Sequence, residues 1–190
     1  MPDALTRNID QLKATLDAAV VHREALDRAV ARVVEAFEHG GKVLACGNGG
    51  SATDAAHLTG EFVCRFVDDR RALPAIALAM NGGDLTAIAN DYGYDRAFAR
   101  QVEALGRAGD VLIALSTSGN SPSVLAALDQ ATAQGVATVA LLGKGGGEAG
   151  GRADVEMIVE GPNTARIQET HKLLIHTLVE GVEARLFGEP

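Results

Sequence analysis

Apolar residues recur at helical spacing from the first residues of the chain: Leu5, Ile9, Leu12, Leu16 and Val20, then Leu26, Val30, Val33 and Phe37, with neither Gly nor Pro from Asp3 to His39. This spacing predicts amphipathic helix. At ~1.5 Å per residue one helix of that length would overrun the sheet it covered. A break is therefore expected near residues 19–23, and a subunit partner for part of the stripe. Gly40-Gly41 ends it. The pattern then changes to short apolar runs at residues 42–46, 73–79, 111–115, 137–142 and 155–159, most of them separated by helical patterns. Residues 111–115 are too uniformly apolar to alternate, which suits a strand buried on both faces. Residues 164–187 close the chain as a long helix containing one Gly. Strands alternating with helices predict an α/β fold with a parallel sheet covered on both faces, and the length suits a single domain over residues 1–190.

Ligands bind beyond the carboxyl ends of such strands, which directs attention to the loops at residues 47–51, 80–84 and 116–121. The last is Ser116, Thr117, Ser118, Gly119, Asn120 and Ser121, followed by Pro122 in the first turn of a helix. Hydroxyls and free backbone N–H groups at a helix start make an anion cup. It has no Lys of the GxxxxGK(S/T) kind, so hydroxyls and backbone would hold a phosphate. An ordinary strand-to-helix turn with a Ser cap is the other reading of the same residues. The run at 47–52 fits GxGxxA, with Asp68 and Asp69 about twenty positions on, as a dinucleotide fingerprint asks. Those acids precede the second strand instead of ending it, which argues against NAD. The Gly-rich residues 144–151 read as a flexible surface connection.

Composition removes several classes of function. Asp and Glu number 25 against 17 Lys and Arg, Trp is absent, and no basic block occurs, which disfavours a nucleic-acid surface. No apolar run reaches the ~18 residues of a membrane span, so a soluble cytoplasmic protein is expected. Cys46 and Cys64 show no paired spacing and read as buried reduced thiols. His57 and Glu61, four residues apart, share a helix face, and Gln168 and His176 lie eight apart on the last helix, roughly 80° around its axis. Each pair has apolar neighbours and can be structural. Converging, they would offer two imidazoles, a carboxylate and an amide, able to move protons or hold a divalent metal. His22 and His39 read as exposed, and His171 as packing.

CGNGGSATDAAHLTGEFVCRF, AIANDYGYD, LSTSGNSPSV and TARIQETHKLLIHTL, four motifs in order along nearly the whole chain, resemble the sugar-isomerase (SIS) family. The likeness is nearest to its members that isomerise sedoheptulose 7-phosphate. The resemblance implies a three-layer α/β/α sandwich with a five-stranded parallel, flavodoxin-like sheet. It also implies a homotetramer with active sites between subunits, residues 1–40 serving in assembly. It implies that Asn48, Gly49, Gly50, Asn90 and Asp91 line the sugar, and that Ser116, Thr117, Ser118 and Ser121 take its phosphate, with Ser51 and Arg65 as further contacts. His57, Glu61, Gln168 and His176 match residues that hold one zinc ion, Glu61 and His176 forming the acid/base pair and Gln168 also facing substrate. The Gly-rich loop and Ala165 depart from the usual pattern. A non-catalytic relative associates with the bacterial replication initiator. At the positions of Glu61 and His176 it carries groups unable to do this proton chemistry, whereas this chain retains both.

Overall fold

The computed structural model describes residues 3–188. Helix α1 (Ala4–Ala19) begins at Asp3, whose carboxylate accepts the Thr6 N–H at 2.8 Å. A tight turn at Val20–His22 separates it from α2 (Arg23–Glu38), where the break was expected. Thereafter β1 (Val43–Gly47) leads to α3 (Gly50–Val63), β2 (Ala75–Ala77), α4 (Gly82–Tyr92) and α5 (Ala97–Leu105). The chain continues through β3 (Val111–Ser116), α6 (Pro122–Ala133), β4 (Ala137–Gly143), β5 (Val155–Val159) and α7 (Thr164–Phe187).

The five strands are parallel in the order β2-β1-β3-β4-β5, which gives the expected α/β/α sandwich. Successive strand residues point to opposite faces. Val43, Ala45, Val111, Ile113, Leu115, Val139 and Leu141 join a core with Val33 and Phe37 of α2, Leu58 and Phe62 of α3, and Leu178 and Val179 of α7. Leu44, Cys46, Leu112, Ala114 and Ala140 face Phe98 and Val102 of α5 and Val124 and Leu128 of α6. The helices carrying His57, Glu61, Gln168 and His176 thus lie together on one face.

Three expectations change. The second strand is three residues long instead of the run 73–79, because it is an edge strand paired only with β1, from Val43↔Ala75 to Ala45↔Ala77. Pro74 brings no N–H to a ladder, and beyond Ala77 the chain turns, with the Met80 N–H returning to the Ala77 carbonyl. Cys46 is buried, its thiol pushed up to about 12 by burial, but Cys64 is exposed where α3 runs out. His22, unlike exposed His39, is half-buried against the backbone of Ile158. No helix of the described residues is long and apolar enough to cross a membrane.

Candidate active site

The register sets Gly47 beside Leu115, so the loops after β1 and β3 leave the sheet side by side. In the second loop the Ser116 hydroxyl accepts the Gly119 N–H at 3.1 Å, and that of Ser118 accepts the Asn120 N–H at 3.2 Å. Ser121 precedes α6 without its hydroxyl capping the helix, and Pro122 fills the first turn. Thr117, Ser118 and Ser121 are half-buried, leaving hydroxyls at the positive end of a helix dipole, the environment an anion prefers.

Residues 144–151 are not the flexible connection the composition suggested. Lys144–Ala149 forms tight turns in which Gly145, Gly146 and Gly147 all have positive φ, and this lets the backbone fold under the loop after β3. The Ala149 N–H donates to the Gly119 carbonyl at 2.9 Å, and the Glu148 N–H to Asn120 Oδ1 at 2.9 Å. A Cβ on Gly119 would overlap the Gly146 carbonyl. One glycine-rich loop therefore buttresses the other.

On one face of the sheet, α3 and α7 bring the two sequence-predicted pairs together. His57 Nε2 and His176 Nε2 are 2.8 Å apart, one N–H donating to the other ring, and Glu61 Oε1 lies 3.3 Å from His57 Nε2. Burial holds the His57 imidazole below its ordinary value; the Lys172 ammonium and His176 add to this, while Glu61 and Asp54 oppose it. Burial and the neighbouring cation thus both favour the neutral ring. Gln168 packs against Gly50, where a Cβ would collide with its amide. Its Nε2 donates to Asp54 Oδ2 at 3.2 Å, which turns the amide oxygen away from Asp54. Lys172 Nζ meets Asp54 Oδ1 at 2.6 Å. Asn48 ties the glycine loop to its surroundings, donating to Ser123 Oγ at 3.0 Å and accepting from the Tyr94 hydroxyl at 2.7 Å.

Other predicted residues stand apart. Arg65 is exposed and donates to the Val67 carbonyl at 2.8 Å. Asn90 and Asp91 are exposed in the last turn of α4 and bond to each other at 2.8 Å. Ser51 is buried in the first turn of α3 and does not cap it, Gly49 occupying that place with φ 57°. His171 is fully buried and donates Nε2–H to the Leu142 carbonyl at 2.9 Å, a packing role as expected. Asp54, Lys172 and Tyr94 went unforeseen. Asp54 precedes His57 by three residues and Lys172 lies midway between Gln168 and His176, so helical spacing alone could have flagged both.

Fold and site define a class: an α/β sandwich with a candidate anion loop at the carboxyl edge of a parallel sheet and a cluster of His and Glu side chains between two helices on one of its faces. The chain belongs to the SIS domain family, whose model matches residues 8–143. It is 51% identical over 195 residues to the phosphoheptose isomerase of a Roseiflexus species, covering 98% of both chains. Against that of Citrifermentans bemidjiense the identity is 53%, over 86% of this chain and 85% of the relative. The solved phosphoheptose isomerase of Neisseria gonorrhoeae superposes with a TM-score of 0.90 at 39% identity, covering 95% of this chain and 97% of that one.

Proposed function

We propose that this protein is an aldose–ketose isomerase that converts sedoheptulose 7-phosphate into D-glycero-D-manno-heptose 7-phosphate, the cytoplasmic step that opens ADP-heptose and GDP-heptose synthesis. The observation that carries the reading is the convergence of Glu61, His57 and His176 from two helices, one of which, α3, starts from the loop that leaves the sheet next to the candidate anion loop, in a chain whose full-length relatives bear that enzyme's name. Binding energy from the remote phosphate would fix C1 and C2 of the sugar against the pair. Glu61 takes the proton from C1, the C1–H electrons form the C1=C2 bond of an enediol, and the C2 carbonyl oxygen gains a proton. The proton held by Glu61 then goes to C2 while the C1 hydroxyl gives up its own, leaving an aldehyde. His176 carries protons between the two oxygens. Asn48, Gly49, Gly50, Ser51, Arg65, Asn90, Asp91 and Gln168 complete the proposed sugar contacts. Incubation with sedoheptulose 7-phosphate should produce an aldose. Absence of turnover with and without added zinc would favour the initiator-binding alternative.

One zinc ion per subunit, on His57, Glu61, Gln168 and His176, belongs to the same proposal. Two imidazoles, a carboxylate and an amide oxygen are a chemically suitable donor set, and the space above Gly50 admits the amide. Among the described residues no group of three or more His, Cys, Asp or Glu stands in metal-holding geometry. The two Nε2 atoms bond to each other at 2.8 Å, a contact that both imidazoles would exchange for the ion on binding it. A bound zinc would stabilise negative charge on the substrate oxygens. An amide is a weak ligand and the imidazoles must be neutral, so the ion should leave readily on chelation or acidification. Chelation is expected to lower activity and leave the circular dichroism spectrum unchanged. Full activity after metal analysis shows removal would refute a catalytic need, and equilibrium dialysis without uptake would refute the site.

Residues 1–190 are proposed to act as one SIS domain and to assemble as a homotetramer through residues 1–40. The support is apolar surface: Leu5, Val20 and Val21 are 70%, 62% and 79% exposed, and Ile9 and Leu173 are exposed as well. Apolar exposure of this kind marks an interaction face. Light scattering at micromolar concentration should give the mass of four chains. A monomer's mass would sink the proposal.

A further inference from the structure

Between α3 and β2 the chain doubles back around one buried cation. Arg70 has 4% of its side chain exposed, and its ion-pair partner Glu183, on α7, 13%. Nε of Arg70 donates to Glu183 Oε1 at 2.7 Å, and Nη2 lies 2.6 Å from the same oxygen. The other donors go to backbone: Nη2 to the Glu61 carbonyl at 2.7 Å, and Nη1 to the carbonyls of Phe62 at 2.7 Å, Arg71 at 3.1 Å and Cys64 at 3.2 Å. Because α3 ends at Val63, the Glu61 and Phe62 carbonyls are among those a helix end leaves without intrahelical partners. A cation there also complements the negative end of the helix dipole.

Glu183 reaches the other helix of the site. It stands two turns beyond His176 on α7, and its Oε1 also accepts the Phe66 backbone N–H at 3.2 Å. The Phe66 ring lies 5.5 Å from the His176 ring, centroid to centroid. One ion pair thus grips the backbone of Glu61 and the backbone of Phe66, whose ring lies against His176, although it bonds to neither the Glu61 carboxylate nor the His176 imidazole. Attraction within a buried pair is largely offset by desolvation, so the pair is a poor source of stability. What it supplies is geometry: a planar fork of N–H donors that Lys cannot reproduce.

We propose that Arg70 and Glu183 are positioning residues for the isomerisation, fixing the end of α3 that carries Glu61 against the stretch of α7 that carries His176. The proposal rests on the isomerase reading above. Arg70→Lys and Glu183→Gln, with the double variant Arg70→Met/Glu183→Leu, test it. The double variant leaves no unpaired charge and keeps the volume filled, so it carries the test if a single variant does not fold. With sedoheptulose 7-phosphate, kcat should fall roughly 10- to 100-fold, as small displacements of reacting groups do. KM should stay near native, because the pair does not touch the loop after β3. In histidine-labelled protein the ring resonances of His176, assigned by their loss in His176→Gln, should move in all three variants. A folded variant with native kcat and unmoved His176 resonances would overturn the proposal. If the native protein turns over no sugar phosphate, the isomerase reading fails by itself. The resonances still decide whether the pair orders His176: movement supports the positioning role, and none overturns it.

Discussion

Glu61→Gln should lower kcat on sedoheptulose 7-phosphate by about 10²–10⁴-fold, the usual contribution of a general acid–base group, with KM little changed. The amide keeps the size of the carboxylate and still has an oxygen to place near His57, 3.3 Å from it in the native chain. It cannot accept the substrate proton. Loss confined to kcat identifies an interaction made in the transition state and not in the ground state. Metal content must be measured on the same sample, since Glu61 also belongs to the proposed zinc set. If Glu61→Gln retained its metal and turned over near the native rate, Glu61 would not be the base, and the proton would have to travel through His176. Solvent deuterium adds a direct view, because an enediol route labels the carbon that receives the proton unless the base shields it from exchange.

Gly119→Ala should act on the other half of the site, raising KM at least tenfold with a smaller change in kcat. Two costs coincide there. The native φ of 66° lies in the left-handed region, which costs an L-residue roughly 1–2 kcal/mol, and the added methyl would run into the Gly146 carbonyl. The loop has to shift, and with it the hydroxyls of Ser118 and Ser121 proposed to hold the phosphate. About 1.4 kcal/mol of lost binding is tenfold in affinity. Gly151→Ala is the control: its φ is 82°, yet nothing lies within 4 Å of the added atom. It should lose stability with KM unchanged. Equal KM values in the two variants would show that the contact between the two loops does not shape the phosphate site.

Periodicity and punctuation carried the fold a long way. The uninterrupted residues 3–39, the break near 19–23, the strands at 111–115 and 155–159 and the helix Thr164–Phe187 are all readable, because local spacing reflects which face is buried. The second strand was overextended because Leu73 and Leu78 are buried without being in the ladder, and apolarity does not distinguish a strand from the turns flanking it. Of the candidate site, His57, Glu61, Gln168 and His176, which α3 and α7 bring to one face, were singled out by helical spacing and resemblance. Arg70 and Glu183 were not. A guanidinium that satisfies four carbonyls looks like any surface arginine until the chain has folded back around it. The buttress at residues 144–149 escaped for a related reason, since glycine is equally the mark of a floppy connection and of backbone in close contact.

The contacts that assemble the candidate site join residues very distant along the chain: Asn48 and Ser123 are 75 apart, Asp54 and Gln168 are 114 apart, and His57 and His176 are 119 apart. Topologies dominated by such distant pairings fold slowly, because chain entropy is lost before the contacts return any stabilisation. On the ribosome, where synthesis runs at about 5–20 residues per second, β1 to β3 and the loop after β3 emerge well before α7. Until that last helix arrives, His57 on α3 lacks its partner His176 and Asp54 lacks Gln168 and Lys172. The nascent chain therefore holds half of the candidate site, and the closing of the core and the completion of that site become one event.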